Sequence, residues 1–277
     1  MAADELTLED YKAFRIFLED ASGIILGENK QYLVTSRLTR IMAENEVLSF
    51  STLMGRMKSD ARLRQRIMDA MTTNETSWFR DIYPFEILKE MLLPELSKRQ
   101  PRQIRIWSAA CSTGQEPYSL SMMVQEYCQS KPGGLLANAV QIIGTDISPR
   151  VLEAAKSATY EGVAVSRGLS PERQARFFRE TGDGGWRVTD DIRRRVSFRE
   201  VNLMQSYNLM GRFDIIYCRN VLIYFSTELK RDILSRMAKC LNPGGYLVLG
   251  GSESISNYSD EFDLIRWRNG VIYQLKS

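Results

Sequence analysis

Between residues 103 and 250 the chain alternates between two kinds of segment. Residues 103–108, 140–145, 213–218 and 245–250 are short apolar runs of strand length, each with a helical stretch expected after it. The helical stretches begin near Glu116, span 149–157 and lie near 227–240. A helix between two strands returns the chain to the same end of the sheet, so this order predicts an α/β fold with a mostly parallel sheet. The pattern changes at the end. Asp263–Trp267 and Val271–Leu275, joined by Arg268-Asn269-Gly270, read as a terminal hairpin with Asn-Gly turn chemistry. One segment, about 158–202, fits neither pattern. Ser170 caps a short helix, Phe178–Glu180 and Trp186–Val188 flank a Gly-rich turn, and Val196–Phe198 adds a strand. It reads as a small β insertion, with Arg193, Arg194 and Arg195 as a solvated run.

The first 72 residues show helical spacing alone. Thr7 caps a helix carrying Leu8, Tyr11, Phe14, Phe17 and Leu18 on one face, and Gly23 ends it. Further helices are expected at about 29–45, after Ser49, and from Asp60 to Met71. The expected organisation is an all-α domain at 1–72, a connecting segment with a helix at 73–99, and the α/β domain at 100–277. From Lys30 to Met68, eight basic residues face three acidic ones. Such a surface is either a solvated face or a docking surface for something acidic; Arg56, Lys58, Arg62 and Arg66 are the candidates for docking.

Histidine is absent from all 277 residues. Ser-His-Asp and Cys-His catalysis and histidine zinc sites are thereby excluded. Four scattered cysteines form no CxxC pair, so neither a disulfide framework nor a metal site is expected. The net charge of +3 is too small to argue for nucleic acid. No apolar run approaches the ~18–20 residues of a membrane span, and the acidic N-terminus lacks an apolar signal core. A cytoplasmic protein without membrane insertion is expected.

The stretch WSAACSTGQEPYSL at 107–120 follows the first strand of the α/β half. Ligands of open parallel sheets sit beyond the strand C-termini, where small residues admit a close backbone. The second strand ends in Asp146, whose carboxylate can accept both hydroxyls of an adenosine ribose or can cap the next helix. Glu116 opens the helix after the loop, where its charge is favoured by about 0.3–1 kcal/mol. A carboxylate there repels pyrophosphate and suits an adenosine with a cationic amino-acid tail, which is S-adenosylmethionine.

The strings TNETSWFRD at 73–81, WSAACSTGQEPYS at 107–119, GTDIS at 144–148, FDIIYCRNVLIYF at 213–225 and GGYLVLGGSES at 244–254 resemble the chemotaxis receptor methyltransferases, the CheR family. They occur in that family's order and span nearly the whole chain. The resemblance implies a Rossmann-like class I methyltransferase domain with a small β-subdomain insertion behind an all-α domain. It implies transfer of methyl from S-adenosylmethionine to glutamate side chains on the cytoplasmic methylation helices of chemoreceptors, leaving S-adenosylhomocysteine. It also implies roles. Asn74, Thr76 and Arg80 contact the cofactor, as do Glu116, Asp146, Asn202, Leu203, Arg219 and Asn220; Arg80 and Tyr224 serve the transferring methyl. Some family members bind a receptor's C-terminal pentapeptide on the insertion. The family often has Phe where this chain has Trp78 and Glu where it has Gln115. A methyltransferase of RNA or small molecules, or a non-catalytic receptor-binding scaffold, are the alternatives. A glutamate carboxylate is ionised at pH 7, so methylating it requires no base, which agrees with a chain lacking histidine.

Overall fold

In the computed structural model, residues 6–99, 103–268 and 270–276 are described. The helical half begins as its caps dictate. The Thr7 hydroxyl accepts the Asp10 amide and opens α1 (Leu8–Ser22), which ends at Gly23 in the left-handed conformation. Then come α2 (Gln31–Glu44), α3 (Phe50–Ser59) and α4 (Ala61–Met71), with Ser49 and Asp60 capping the last two. Apolar residues at helical spacing in α4, Leu63, Ile67, Met68 and Met71, face a core shared with Tyr11, Phe14, Leu18, Leu38 and Leu53. Burying each such side chain contributes roughly 1.5–3 kcal/mol.

The helix expected at 82–99 is three pieces: α5 (Tyr83–Ile87), a π turn (Leu88–Leu92) and α6 (Leu93–Lys98). Pro94 explains the break. It has no amide to donate, and its ring collides with the carbonyl four residues back, so the helix widens before it.

The α/β half runs β1 (Ile104–Ala109), α7 (Gln115–Ser130), β2 (Val140–Asp146), α8 (Pro149–Ser157), β3 (Thr159–Tyr160), α9 (Val163–Ser166), α10 (Pro171–Phe177), β4 (Phe178–Glu180), β5 (Trp186–Val188), α11 (Asp190–Arg193), β6 (Val196–Glu200), β7 (Phe213–Cys218), α12 (Thr227–Lys239), β8 (Leu241–Leu249), β9 (Phe262–Trp267) and β10 (Gly270–Leu275). Seven strands form one sheet in the order β6-β2-β1-β7-β8-β10-β9. The first five are parallel, and the terminal hairpin closes the edge antiparallel. Asn269 of the expected turn lies outside the described residues. Strand order reverses between β1 and β7, so the loops at their C-terminal ends diverge and leave a crevice.

Three expectations are corrected. The strand at 196–198, assigned to the insertion, is β6 and pairs with β2 in the main sheet; the insertion's own sheet is β3-β5-β4. No helix follows β8; turns and coil lead from it into β9. The Arg193–Arg195 run is not uniformly solvated: the buried Arg195 donates to the hydroxyl and carbonyl of Ser121 on α7, and only Arg194 is exposed.

Candidate active site

The crevice holds a cavity of about 940 Å³, counted out to its open mouth. That is the size of a cofactor site. Asn74, Thr76, Arg80, Glu116, Asp146, Asn202, Leu203, Arg219, Asn220 and Tyr224 all line it. Residues up to 150 positions apart in sequence are gathered because β1, β2 and β7 all end there. The all-α domain completes one wall with Ser22 and Ile24. It is held there by the Asn202 side-chain amide on the Ala21 carbonyl (2.9 Å) and by the Ile25 amide on the Tyr224 carbonyl (2.9 Å).

The loop after β1 is built to expose backbone. Ala110, Ser112 and Gly114 all have positive φ, at 53°, 51° and 94°. Such geometry at a non-glycine residue costs of order 1 kcal/mol or more and persists where surroundings over-determine it. Here the Cys111 amide returns to the Thr145 carbonyl (2.8 Å), the Ser112 amide donates to Asp146 (2.9 Å), and the Ser112 hydroxyl donates to the Asn74 carbonyl (2.9 Å). Gly114 is also sterically required: a Cβ there would lie 2.9 Å from that of Ala155 on α8.

Asp146 is 6% exposed. Its carboxylate accepts the amides of Ser112 and Ser148, one on each oxygen. Burial raises its pKa and the backbone amides oppose that rise. Helix α8 is capped by Ser148 instead, through the Val151 amide. Each carboxylate oxygen keeps acceptor capacity for a second donor. Cys111, beside it, is buried, and burial with the nearby Asp146 and Glu116 charges pushes its thiol well up, so it is no thiolate nucleophile.

The opposite end of the cavity is zwitterionic. The Arg219 side chain, 2% exposed, donates to Glu116 (2.7 Å), to Asp81 (2.8 Å) and to the Arg80 carbonyl (2.7 Å). Glu116 also accepts the Ser108 hydroxyl (2.7 Å). Burial works against the Arg219 charge, but Glu116 and Asp81 outweigh it, and its pKa is raised. A guanidinium thus stands against the Glu116 carboxylate. The Arg219 Nε–H is buried and has no acceptor among the described residues. A buried donor left so costs about 1–3 kcal/mol.

Arg80 lies on a strained segment. Phe79, Asp81 and Ile82 have φ of 49°, 66° and 54°, and the Tyr83 amide bonds the Asp81 carbonyl in a tight γ-turn about Ile82. The Arg80 guanidinium donates to the Glu75 carbonyl (3.0 Å) and has no carboxylate partner among the described residues. Neither Asn74 nor Thr76 caps the following helix, whose N-cap is Ile82, and Arg80 pairs with neither Asp81 nor Glu86.

Glu253 escaped the sequence reading of the site. Its carboxylate accepts the amides of Asn220 (2.6 Å), Val221 (3.1 Å) and Gly250 (2.9 Å). It thereby pins the turn bearing Arg219, Asn220 and Tyr224, in which Asn220 takes φ 58°. Its string GGSES was visible, but a carboxylate serving backbone amides has no side-chain partner to mark it.

Two family models divide the chain: "CheR methyltransferase, all-alpha domain" matches residues 9–72 and "CheR methyltransferase, SAM binding domain" matches 74–271. The chain belongs to the CheR methyltransferase family. Chemotaxis protein methyltransferase 1 of Pseudomonas aeruginosa is 52% identical over 96% of this chain and 98% of its own. The chemotaxis protein methyltransferase of Vibrio parahaemolyticus is 50% identical over the full length of both chains. That of Salmonella typhimurium is 35% identical over 98% of this chain and 92% of its own. As a CheR methyltransferase the protein uses S-adenosylmethionine, and the cavity's chemistry fits it. An acceptor stands at one end in Asp146. Paired acid and base stand at the other in Glu116 and Arg219, complementary to a zwitterionic amino-acid tail.

Proposed function

We propose that the protein methylates glutamate carboxylates on the cytoplasmic helices of chemoreceptors. Relatives 50–52% identical over nearly the whole chain carry the name chemotaxis protein methyltransferase. The observation that carries the choice of acceptor is Arg80: a cation on the cavity wall, held by its backbone, with no carboxylate partner among the described residues. An incoming carboxylate supplies that partner.

Asp146 accepts the ribose hydroxyls, Asn202 and Leu203 flank the adenine, and Glu116, Arg219, Asn220, Asn74 and Thr76 hold the amino-acid end. Bound there, S-adenosylmethionine supplies an activated sulfonium methyl. Arg80 and Tyr224 orient the acceptor carboxylate toward it. The acceptor is already an anion at pH 7, so no residue has to remove a proton. The residues then contribute chiefly alignment, a term that reaches about 7–11 kcal/mol in well-oriented reactions. Anion and cation neutralise each other as methyl transfers, so a single arginine that orients without gripping suits the reaction better than a tight clamp.

The test is labelled methyl transfer to a receptor cytoplasmic fragment. Base-labile label on glutamate is expected, with Arg80→Ala lowering kcat at least a hundredfold while cofactor saturation is verified. Label on RNA, or an Arg80→Ala variant at normal rate, overturns the reading.

A further inference from the structure

We infer that the β insertion is a positioning element for Arg80, acting through Trp78; this rests on the reading that Arg80 orients the acceptor carboxylate. Trp78 is 1% exposed and is seated in the insertion rather than in its own segment. Its indole N–H donates to the Ala164 carbonyl (2.8 Å) and its backbone amide to the Arg167 carbonyl (3.1 Å), both on or beside α9. Its ring meets Tyr160 of β3 and Phe178 of β4 edge-on, at centroid distances of 4.9 and 5.1 Å. The approach admits no side chain on the insertion: a Cβ on Gly168, at φ 87°, would fall 2.1 Å from the Trp78 carbonyl oxygen.

Two further links run from the insertion to the site. Arg167 pairs with Glu75 (2.7 Å), and the Glu75 carbonyl receives the Arg80 guanidinium. The Tyr160 hydroxyl donates to the Thr113 carbonyl (2.8 Å) in the loop below Asp146. The strained Phe79–Ile82 stretch starts immediately after Trp78. Arg219 holds the Arg80 carbonyl and the Asp81 carboxylate, and the insertion holds Trp78 two residues before Arg80, so Arg80 is fixed between two anchors on a strained stretch. The indole donor is available because this chain has Trp at 78; phenylalanine fills the ring site and leaves the Ala164 carbonyl without it.

Trp78→Phe, Arg167→Ala and Arg167→Lys are compared alone and combined with Arg80→Ala, at saturating cofactor and receptor fragment. Trp78→Phe is expected to lower kcat about fivefold with cofactor Kd within twofold. Arg167→Ala is expected to lower kcat two- to threefold, with Arg167→Lys restoring it. On the Arg80→Ala background neither change lowers the residual rate further. Unchanged kcat in folded Trp78→Phe and Arg167→Ala, the same fold-loss on the Arg80→Ala background, or a matching loss of cofactor affinity overturns the inference. Arg167 is exposed, so its variants carry the test if Trp78→Phe does not fold. A normal rate for Arg80→Ala alone overturns the catalytic assignment itself, which separates the two failures.

Discussion

Asp146 and Arg219 show how differently single residues reveal themselves. Asp146 ends an apolar strand, and a carboxylate at that point is readable one residue at a time. Arg219 is not: its partners Asp81 and Glu116 lie 138 and 103 positions away; the Glu116 pair exists because β1 and β7 are neighbours, and Asp81 reaches it from the segment before α5. One buried guanidinium is thus shared between two carboxylates, Asp81 and Glu116. On the proposal that Asp146 takes the ribose hydroxyls, Asp146→Asn removes a charged acceptor from the cofactor. A hydrogen bond to a charged group is worth about 1.5–3 kcal/mol, so cofactor affinity should fall about ten- to a hundredfold. Calorimetric titration at neutral pH checks this, and a loss under threefold would leave Asp146 a loop-fixing residue alone.

Among the elements, α7 does more than follow the loop after β1. Its Glu126, with a side chain 11% exposed, accepts Lys89 of the π turn (3.1 Å) and both Nε (2.8 Å) and Nη2 (3.2 Å) of Arg173 on α10. It joins three segments that sequence reading treated separately. Burial alone would raise its pKa, but Arg173 and Lys89 reverse the sign and lower it. The folded pKa therefore lies below the unfolded one. The stabilisation is present above the unfolded value of about 4.3 and is lost as pH falls through the folded value. Glu126→Gln should destabilise by about 1–3 kcal/mol at pH 7, with the gap to wild type closing as pH drops below 4. Denaturant midpoints at several pH values check it; a gap that persists at low pH would mean packing, not charge. Helix and strand existence was legible here from periodicity and caps. The true sheet of β6 was not, because pairing partners are chosen by topology and not by local pattern; the split before Pro94 is a local effect of a proline that stands in the sequence.

For the molecule as a whole, the all-α domain is both a wall of the cavity and a surface. Its basic excess is less uniform in space than in sequence. Arg37 turns inward onto the carbonyls of Met71 and Thr72, Arg40 and Arg66 both hold Glu44, and Arg56 donates to the Asn45 carbonyl. Of the docking candidates, Lys58 and Arg62 are exposed with neither an ion pair nor a side-chain hydrogen bond among the described residues. Charge reversal at these two, Lys58→Glu with Arg62→Glu, should raise receptor KM severalfold at low ionic strength. It should also flatten the salt dependence while sparing kcat. Steady-state kinetics from low to physiological salt check this; an unchanged salt profile would make the face merely solvated.

Residue order was enough to announce an α/β sheet behind a helical domain, a tight small-residue loop between Trp107 and Leu120 beyond the first strand, and an acid at the end of the second strand in Asp146, because caps, periodicity and strand ends act over a few neighbouring residues. What distant parts of the chain do to one another was settled by folding. The Arg219–Glu116 pair, the Glu253 grip on three amides and the seat of Trp78 in the insertion each join segments far apart along the backbone. Such contacts are fixed by which strands lie side by side, and no local pattern carries that information.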